Sequence, residues 1–254
     1  MRAWVFSMAV SRRQKLIVVS LLFYWPALFV LAHIPIPQLV REAGVSDKSL
    51  HFIAYLALIF LLWFAISPYR KVGWRRAATW WVLLVMVSYG IIDELLQGVV
   101  VGRSCDAMDF FADLAGVLAG LFIFAFFTFW PAFLMVTGIT IFALTNLSRV
   151  NLADLLPVTY VVFHLFAYGF FAVLWLRNMN LFPPIKAPKL KWLVVASAPP
   201  IGFLVAVKLF SIISGRDFRL RNFIIAAVGI AAVVTTIYLI DLFCFRRAQS
   251  STDA

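Results

Sequence analysis

The first half of the sequence carries ionisable and hydrogen-bonding side chains that repeat at helical spacing. Residues three, four or seven positions apart share one face of a helix. By this spacing, three segments each present a polar face, and a Gly-Arg pair lies between the second and the third. The side chains of this polar set are Lys48, His51 and Tyr55 on the first segment, Asp93, Glu94 and Gln97 on the second, Arg103 in the Gly-Arg pair, and Asp109 and Asp113 on the third.

Carboxylates beside a histidine and an arginine suit three kinds of function. In the first, the polar set binds the headgroup of a lipid or of a lipid-linked envelope precursor, or it docks an envelope protein. In the second, a membrane enzyme acts on a lipid or a lipid-linked glycan, with Glu94 as general base, His51 or Asp109 as its partner, and Arg103 binding phosphate. In the third, a transporter or flippase uses the charges within the membrane. The sequence leaves these alternatives open, and the catalytic residues stay unknown.

Other chemistries lack their sequence signatures. The chain contains no H-E-x-x-H pattern, which argues against a zinc hydrolase, and it contains no G-x-S-x-G pattern and no P-loop. Glu94, Asp109 and Asp113 are ligand types that suit Mg²⁺ or Ca²⁺, but their spacing matches no metal motif. The sequence therefore predicts no metal and no cofactor.

The elements that position the polar set must be membrane helices. Of the 254 residues, 64% are hydrophobic and the mean hydropathy is +0.99, which is more apolar surface than a soluble chain of this length could bury. The apolar runs are each about 20 residues long, enough to cross a bilayer as a helix, and the alternation typical of a membrane barrel is absent. We predict an all-α, polytopic membrane bundle with eight transmembrane helices, at roughly 15–33, 48–67, 77–97, 109–126, 128–146, 161–180, 190–210 and 222–244.

The loop charges predict how these helices cross the membrane. Lysines and arginines concentrate on the cytoplasmic side of membrane proteins. With the N-terminus inside, 14 of them lie inside and 8 outside, which favours cytoplasmic N- and C-termini in a bacterial inner membrane. Anionic lipid headgroups then explain the net charge of +11, so membrane lipids are expected partners and nucleic acid is not.

This orientation places the polar set at the extracytoplasmic ends of the second, third and fourth helices. An ionised side chain that faces lipid costs roughly 2.5 kcal/mol or more near mid-membrane. We therefore expect five carboxylates to turn inward and meet Lys48, His51 and Arg103; these are Asp47, Asp93, Glu94, Asp109 and Asp113.

Some polar residues at these ends have simpler explanations. Asp47 is equally well explained as a favourable anion at a helix N-terminus. His33 and Asp106 are interpreted as polar helix ends that face headgroups, and His164 and Tyr168 as packing residues.

The sequence also repeats itself at an offset of 113 residues. His51 and Tyr55 fall on His164 and Tyr168. Four helices separate the copies, so both would cross the membrane in the same direction. The second copy lacks the carboxylates, and Pro199-Pro200 predicts a kink in its third helix. We predict two parallel four-helix repeats, a unit with polar motifs at 1–127 and a degenerate unit at 128–254, in which Ala206, Val207 and Ala226 stand where the first unit has Asp93, Glu94 and Asp113.

The motifs of the first half resemble those of the VanZ-like membrane family. They run D-K-x-x-H-x-x-x-Y, then D-E-x-x-Q, then G-R with an Asp six residues later, over about residues 15–126. The resemblance implies a cell-envelope role and an altered response to the glycopeptide teicoplanin, but it names no reaction. Members usually carry Asn where this chain has Asp113, and a carboxylate at that position cannot donate a hydrogen bond unless it is protonated.

Overall fold

The computed structural model describes residues 11–34, 46–146, 157–179, 189–216 and 218–250. Within these residues the chain forms eight α-helices and no strand, and each helix contains a stretch long and apolar enough to span a membrane. The predicted all-α membrane bundle is thus confirmed. The helices are α1 Arg12–Ala32, α2 Asp47–Ile66, α3 Ala77–Gln97, α4 Ala107–Phe126, α5 Phe129–Asn146, α6 Pro157–Met179, α7 Leu190–Ile213 and α8 Leu220–Ser250.

Polar side chains cap the starts of α1 and α4, and a tight turn follows α3. The Ser11 hydroxyl accepts from the backbone N–H of Gln14 at the start of α1, and the Asp106 carboxylate accepts from Met108 N–H at the start of α4. Gly102 has a φ of +83° in the turn between α3 and α4, a conformation that residues with a Cβ rarely adopt. Both caps leave fewer unsatisfied backbone donors where the chain leaves the membrane.

The chain divides into two compact units. The first comprises α1 together with Asp47–Ala132, and the second includes Phe133 through α8. In the first unit α2 is the central element, packed closely on α4 and also on α1. The small residues of α4 make this possible, because a Cβ on Gly116 would overlap the backbone carbonyl of Phe52.

The second unit contains the same local arrangement. Its helix α6 packs closely on α8, and a Cβ on Gly229 would overlap the backbone carbonyl of Leu165. Gly116 and Phe52 lie 113 positions before Gly229 and Leu165, the offset of the sequence repeat. This parallel supports a tandem duplication, which together with the boundary at 127/128 stays a prediction.

Two further expectations are the kink at Pro199-Pro200 and the orientation of the helices in the membrane. Helix α7 is continuous through Pro199 and Pro200, and the kink expected there stays a prediction. Four of the cations counted for the orientation lie outside the described residues; these are Arg2, Arg41, Arg149 and Lys186.

Apolar surface in the first unit is divided between its interior and its outer face. Helix α2 fills the interior with side chains that are almost fully buried, among them Leu56, Ile59 and Trp63. Large side chains on α1 are instead exposed, with Leu22 at 66% and Phe23 at 76%. Exposed apolar side chains on such a helix are suited to contact with lipid chains.

Candidate functional site

Two carboxylates of the polar set meet at His51, which links three helices. His51 Nδ1 lies 2.9 Å from Asp113 Oδ1, so α2 and α4 are joined through their side chains. The same nitrogen lies 3.9 Å from Glu94 Oε1 of α3. All three residues are buried. Helical spacing puts these groups on inward faces, and the close approach of α2 and α4 brings them into contact.

The two adjacent carboxylates of α3, Asp93 and Glu94, accept hydrogen bonds from different partners. The Gln97 amide, one turn after Asp93, donates to Asp93 Oδ2 at 2.9 Å. The backbone N–H of Asp106 donates to Glu94 Oε2 at 3.2 Å and so ties α3 to the start of α4. Because each of these bonds uses one carboxylate oxygen, the other oxygen of each remains directed elsewhere.

A second, more exposed layer is built around Lys48. Its Nζ donates to Asp106 Oδ2 at 2.6 Å and to Asp109 Oδ1 at 3.0 Å, and its side chain is 44% exposed. The Lys48 hydrogen bond, followed by the Met108 backbone donor, lowers the pKa of Asp106 below its usual value. The sequence interpretation of Asp106 as a helix-end residue omitted this ion pair.

Arg103 lies apart from the buried carboxylates. Its closest carboxylate contact in the described part of the chain is Asp47, with Nη1 and Oδ2 3.6 Å apart. Its guanidinium also donates to the carbonyls of Leu31 and Ile34 at the end of α1. The expectation that Arg103 would meet the inward-facing carboxylates is therefore corrected for all but Asp47, because unsatisfied carbonyls at a helix C-terminus attract a cation.

Tyr55 lies one turn deeper than His51 and is 1% exposed. Its ring stacks on Tyr89, with centroids 5.7 Å apart, and Tyr89 in turn makes an edge contact with Trp25 of α1. These aromatic rings link α1, α2 and α3 to one another below His51.

One residue near the buried carboxylates was missed by sequence reasoning. His33 Nδ1, just after α1, lies 3.8 Å from Asp93 Oδ1. No spacing rule connects α1 to α3, so only the folded arrangement identifies His33 as a neighbour of the site.

Two cavities open on this polar region. One, of about 390 Å³, runs between α1 and α2 and is mostly apolar until it reaches its polar end. That end is formed by Asp47, His51, Asp93 and Arg103. The other, of about 420 Å³, is polar and is lined by Asp47, Lys48, Gly102, Arg103, Ser104, Asp106 and Asp109. Asp47 and Arg103 border both cavities.

Two groups of side chains have the chemistry of metal ligands. His51, Asp93, Glu94 and Asp113 each offer one ligand atom within 4.8 Å of the others. Asp47, His51 and Asp109 form a second such group. Neither group could be recognised from spacing, because the first combines residues of three helices and the second combines residues of two.

The corresponding region of the second unit has different chemistry. His164 is fully buried, its Nδ1 contacts the Tyr160 carbonyl at 2.9 Å, and its Nε2 lies 3.4 Å from Lys208 Nζ. Tyr168 is also fully buried within the core of this unit. The histidine that faces carboxylates in the first unit thus faces a lysine in the second.

Comparison with known proteins agrees with the motifs. A family model described as VanZ/LLP1 matches residues 6–130, which include α1 to α4 and the whole polar set. No curated protein and no solved structure matches the chain. Through its first four helices, the chain belongs to the VanZ-like family of membrane proteins.

Proposed function

We propose that this VanZ-like protein binds one lipid or lipid-linked molecule of the cell envelope. The hydrocarbon chain would occupy the cavity between α1 and α2, and the headgroup would lie at its polar end. The observation that carries this proposal is the cavity itself, which is apolar along two membrane helices and ends at ionisable groups, of which His51 and Asp93 are buried.

The walls of the cavity suit a hydrocarbon chain. Ala27, Leu28 and Leu31 of α1 face Ile53 and Ala54 of α2 across it. Its volume of about 390 Å³ falls within the ~300–1,000 Å³ typical of small-ligand pockets. Apolar walls at this position let a lipid chain leave the bilayer without exposure to water.

The Tyr24 hydroxyl is a polar group in the apolar wall, and it already has a hydrogen-bond partner. The Tyr24 hydroxyl donates to the Ala54 carbonyl at 3.0 Å. The tyrosine therefore presents its ring to the cavity rather than an unpaired hydroxyl.

The polar end suits a headgroup that carries both signs of charge. Arg103 offers a guanidinium, whose fork geometry matches a phosphate. Asp47 and Asp93 offer carboxylates to an amino or hydroxyl group of the same molecule. If the bound molecule is a lipid-linked envelope precursor, its retention at the extracytoplasmic side would alter the response of the cell to teicoplanin.

A blocked cavity provides the test of this proposal. Ala54→Trp fills the cavity, whereas Leu22→Trp places the same ring on a side chain that is already 66% exposed on α1. The full-length proteins would be purified in mild detergent, and their bound lipids would be identified by native mass spectrometry. We expect the wild type and Leu22→Trp to retain one lipid class and Ala54→Trp to lose it.

A companion variant tests the headgroup contact. Arg103→Gln removes the cation but keeps a hydrogen-bonding side chain, so a phosphate-containing lipid should be retained more weakly. Equal lipid retention by wild type and Ala54→Trp would contradict binding in this cavity. A cell-level measurement, the teicoplanin susceptibility of cells with each variant, would link retention to phenotype.

A second candidate is a membrane enzyme that acts on the same lipid. His51 lines the cavity and is held by Asp113 at 2.9 Å, which is the relationship of a base to the carboxylate that orients it. Glu94 is the second carboxylate beside it. A lipid product that disappears from the cellular lipid profile in Glu94→Gln would favour this candidate, and an unchanged profile would count against it.

A further inference from the structure

Three buried carboxylates lie around His51, and within the described part of the chain each has one oxygen without a hydrogen-bond partner. Asp93, Glu94 and Asp113 are 1%, 3% and 1% exposed. Each uses one carboxylate oxygen in a hydrogen bond, to Gln97, to the Asp106 backbone and to His51 respectively. The other oxygen of each, namely Asp93 Oδ1, Glu94 Oε1 and Asp113 Oδ2, has no hydrogen-bond partner among the described residues.

The nearest charged groups do not complete these contacts. Lys48 is engaged by Asp106 and Asp109, and Arg103 lies with Asp47. His33 Nδ1 is 3.8 Å from Asp93 Oδ1, which is too far for a hydrogen bond to that oxygen.

Three carboxylates in such a site need a compensating positive charge. Buried ionised groups are costly unless they are paired or coordinate a metal. One imidazolium at His51 could neutralise only one of the three. A divalent cation together with a neutral His51 leaves a residual charge of −1 instead of −3. The ion would therefore compensate most of the negative charge and would also bind the oxygens that have no hydrogen-bond partner.

From this geometry we infer that His51, Asp93, Glu94 and Asp113 hold a divalent metal ion. Their ligand atoms lie within 4.8 Å of one another. Two ligands opposite each other around an ion stand roughly 4.1 Å apart at Mg²⁺ distances and about 4.8 Å apart at Ca²⁺ distances. The four groups therefore need little movement to share one ion.

The ligand set narrows the identity of the ion. Carboxylates suit Mg²⁺, Ca²⁺ and Mn²⁺, whereas imidazole suits Zn²⁺ and iron, so one histidine with three carboxylates favours Mn²⁺ or Zn²⁺. Binding of the ion would displace the proton from the hydrogen bond between His51 Nδ1 and Asp113 Oδ1, which at 2.9 Å apart are close enough to be neighbouring ligands. The imidazole proton would then lie on Nε2.

The surroundings already orient two of the ligands. The Gln97 amide fixes the outer oxygen of Asp93, and the Asp106 backbone fixes the outer oxygen of Glu94. Hydrogen bonds of this kind hold metal-ligating side chains in place and tune metal affinity. The inference goes beyond lipid binding, because the four ligands come from the chain alone and no lipid is needed to complete them.

Mn²⁺ is the probe for the test, because free Mn²⁺ has a strong electron paramagnetic resonance signal that bound Mn²⁺ loses. The full-length protein would be purified in detergent, treated with a chelator, freed of it and titrated with Mn²⁺. We expect saturable binding of a single Mn²⁺ per chain, competed by Zn²⁺. Glu94→Gln and Asp113→Asn should each weaken binding by more than about 10-fold.

Asp241→Asn is the matched control, since it removes one carboxylate from an exposed position of α8 in the other unit. It should bind Mn²⁺ as the wild type does. Absence of saturable binding of both Mn²⁺ and Zn²⁺ to the wild type would overturn the inference, as would equal affinity in wild type, Glu94→Gln and Asp113→Asn.

A measurement on the wild type alone covers the case in which the variants fail to fold. Pulsed electron paramagnetic resonance of bound Mn²⁺ should detect one imidazole nitrogen, and its absence would also overturn the inference. Lipid content measured on the same preparation separates the two proposals. Bound Mn²⁺ without bound lipid would support the metal site and contradict lipid binding. Bound lipid without bound Mn²⁺ would support lipid binding and contradict the metal site.

Discussion

His51 Nδ1 and Asp113 Oδ1 lie 2.9 Å apart and join the second and fourth helices of the first unit in its buried interior. The motif resemblance to the VanZ-like family implies Asn at the second of these positions, where this chain has Asp. The carboxylate changes the hydrogen bond from one that Asn could donate to one that His51 donates. This exchange also adds a negative charge beside Glu94, and the proposed metal site depends on that charge.

We predict strong energetic coupling between His51 and Asp113. His51→Asn or Asp113→Asn alone should each lower the free energy of unfolding, and breaking a buried pair typically costs about 3–5 kcal/mol. The double variant should lose less than the sum, with a coupling of about 0.5–3 kcal/mol. Unfolding in chelator-treated detergent samples measures this cycle without a metal contribution. A second cycle that combines His51→Asn with Asp241→Asn is the control, and there the two losses in free energy of unfolding should add. Additive losses in the His51/Asp113 cycle as well would contradict the coupling.

We predict that Gly116→Ala weakens the contact between α2 and α4. The added Cβ would overlap the Phe52 carbonyl, and backbone cannot yield as a flexible side chain can. Overpacking of this kind costs about 1–3 kcal/mol. Gly229→Ala should have a similar effect in the second unit. Thermal unfolding checks both, against Gly202→Ala, where a Cβ meets nothing within 4 Å. Similar midpoints for all three variants would show that close helix approach is not the reason for these glycines.

We predict that the Lys48–Asp106 ion pair loses its contribution to stability only below about pH 4. The pKa of Asp106 is lowered in the folded chain by the Lys48 hydrogen bond, so its contribution is complete above its unfolded value of about 4. That contribution is lost as the pH falls further, through the folded pKa. Asp106→Asn keeps a good helix cap but removes the charge. Its unfolding midpoint should lie below that of the wild type at neutral pH, and the two should converge below about pH 4. A constant difference across that range would contradict the prediction.

We predict that the two exposed cysteines report opposite sides of the membrane. Both thiols are free and exposed. If both termini are cytoplasmic, Cys105 lies on the extracytoplasmic side and Cys244 on the cytoplasmic side. In intact cells a membrane-impermeant maleimide should label Cys244→Ser, which retains Cys105, and should label Cys105→Ser only after permeabilisation. The reverse pattern would invert the orientation and place the polar set on the cytoplasmic side.

The sequence by itself determined that lipid surrounds this protein and that the protein is built from helices. Its apolar runs are long enough that lipid must surround them, and hydrogen bonding in lipid allows little other than helices, so the eight predicted spans agree with the structure. Spacing within a helix also determined which side chains share a face, because the helical period is fixed. This is why Lys48 and His51, or Asp93 and Gln97, could be placed on one face of their own helices from the sequence.

Only the tertiary structure decided which faces meet. The pairing of Lys48 with Asp106, the turn of Arg103 toward the end of α1 and the approach of His33 to Asp93 all join different helices. Helical periodicity holds no information on the rotation or separation of neighbouring helices. Those are set by packing, here by the absence of a Cβ at Gly116 that lets α4 approach α2 closely. That close approach lies on the same faces that bring Asp113 to His51 and create the candidate site.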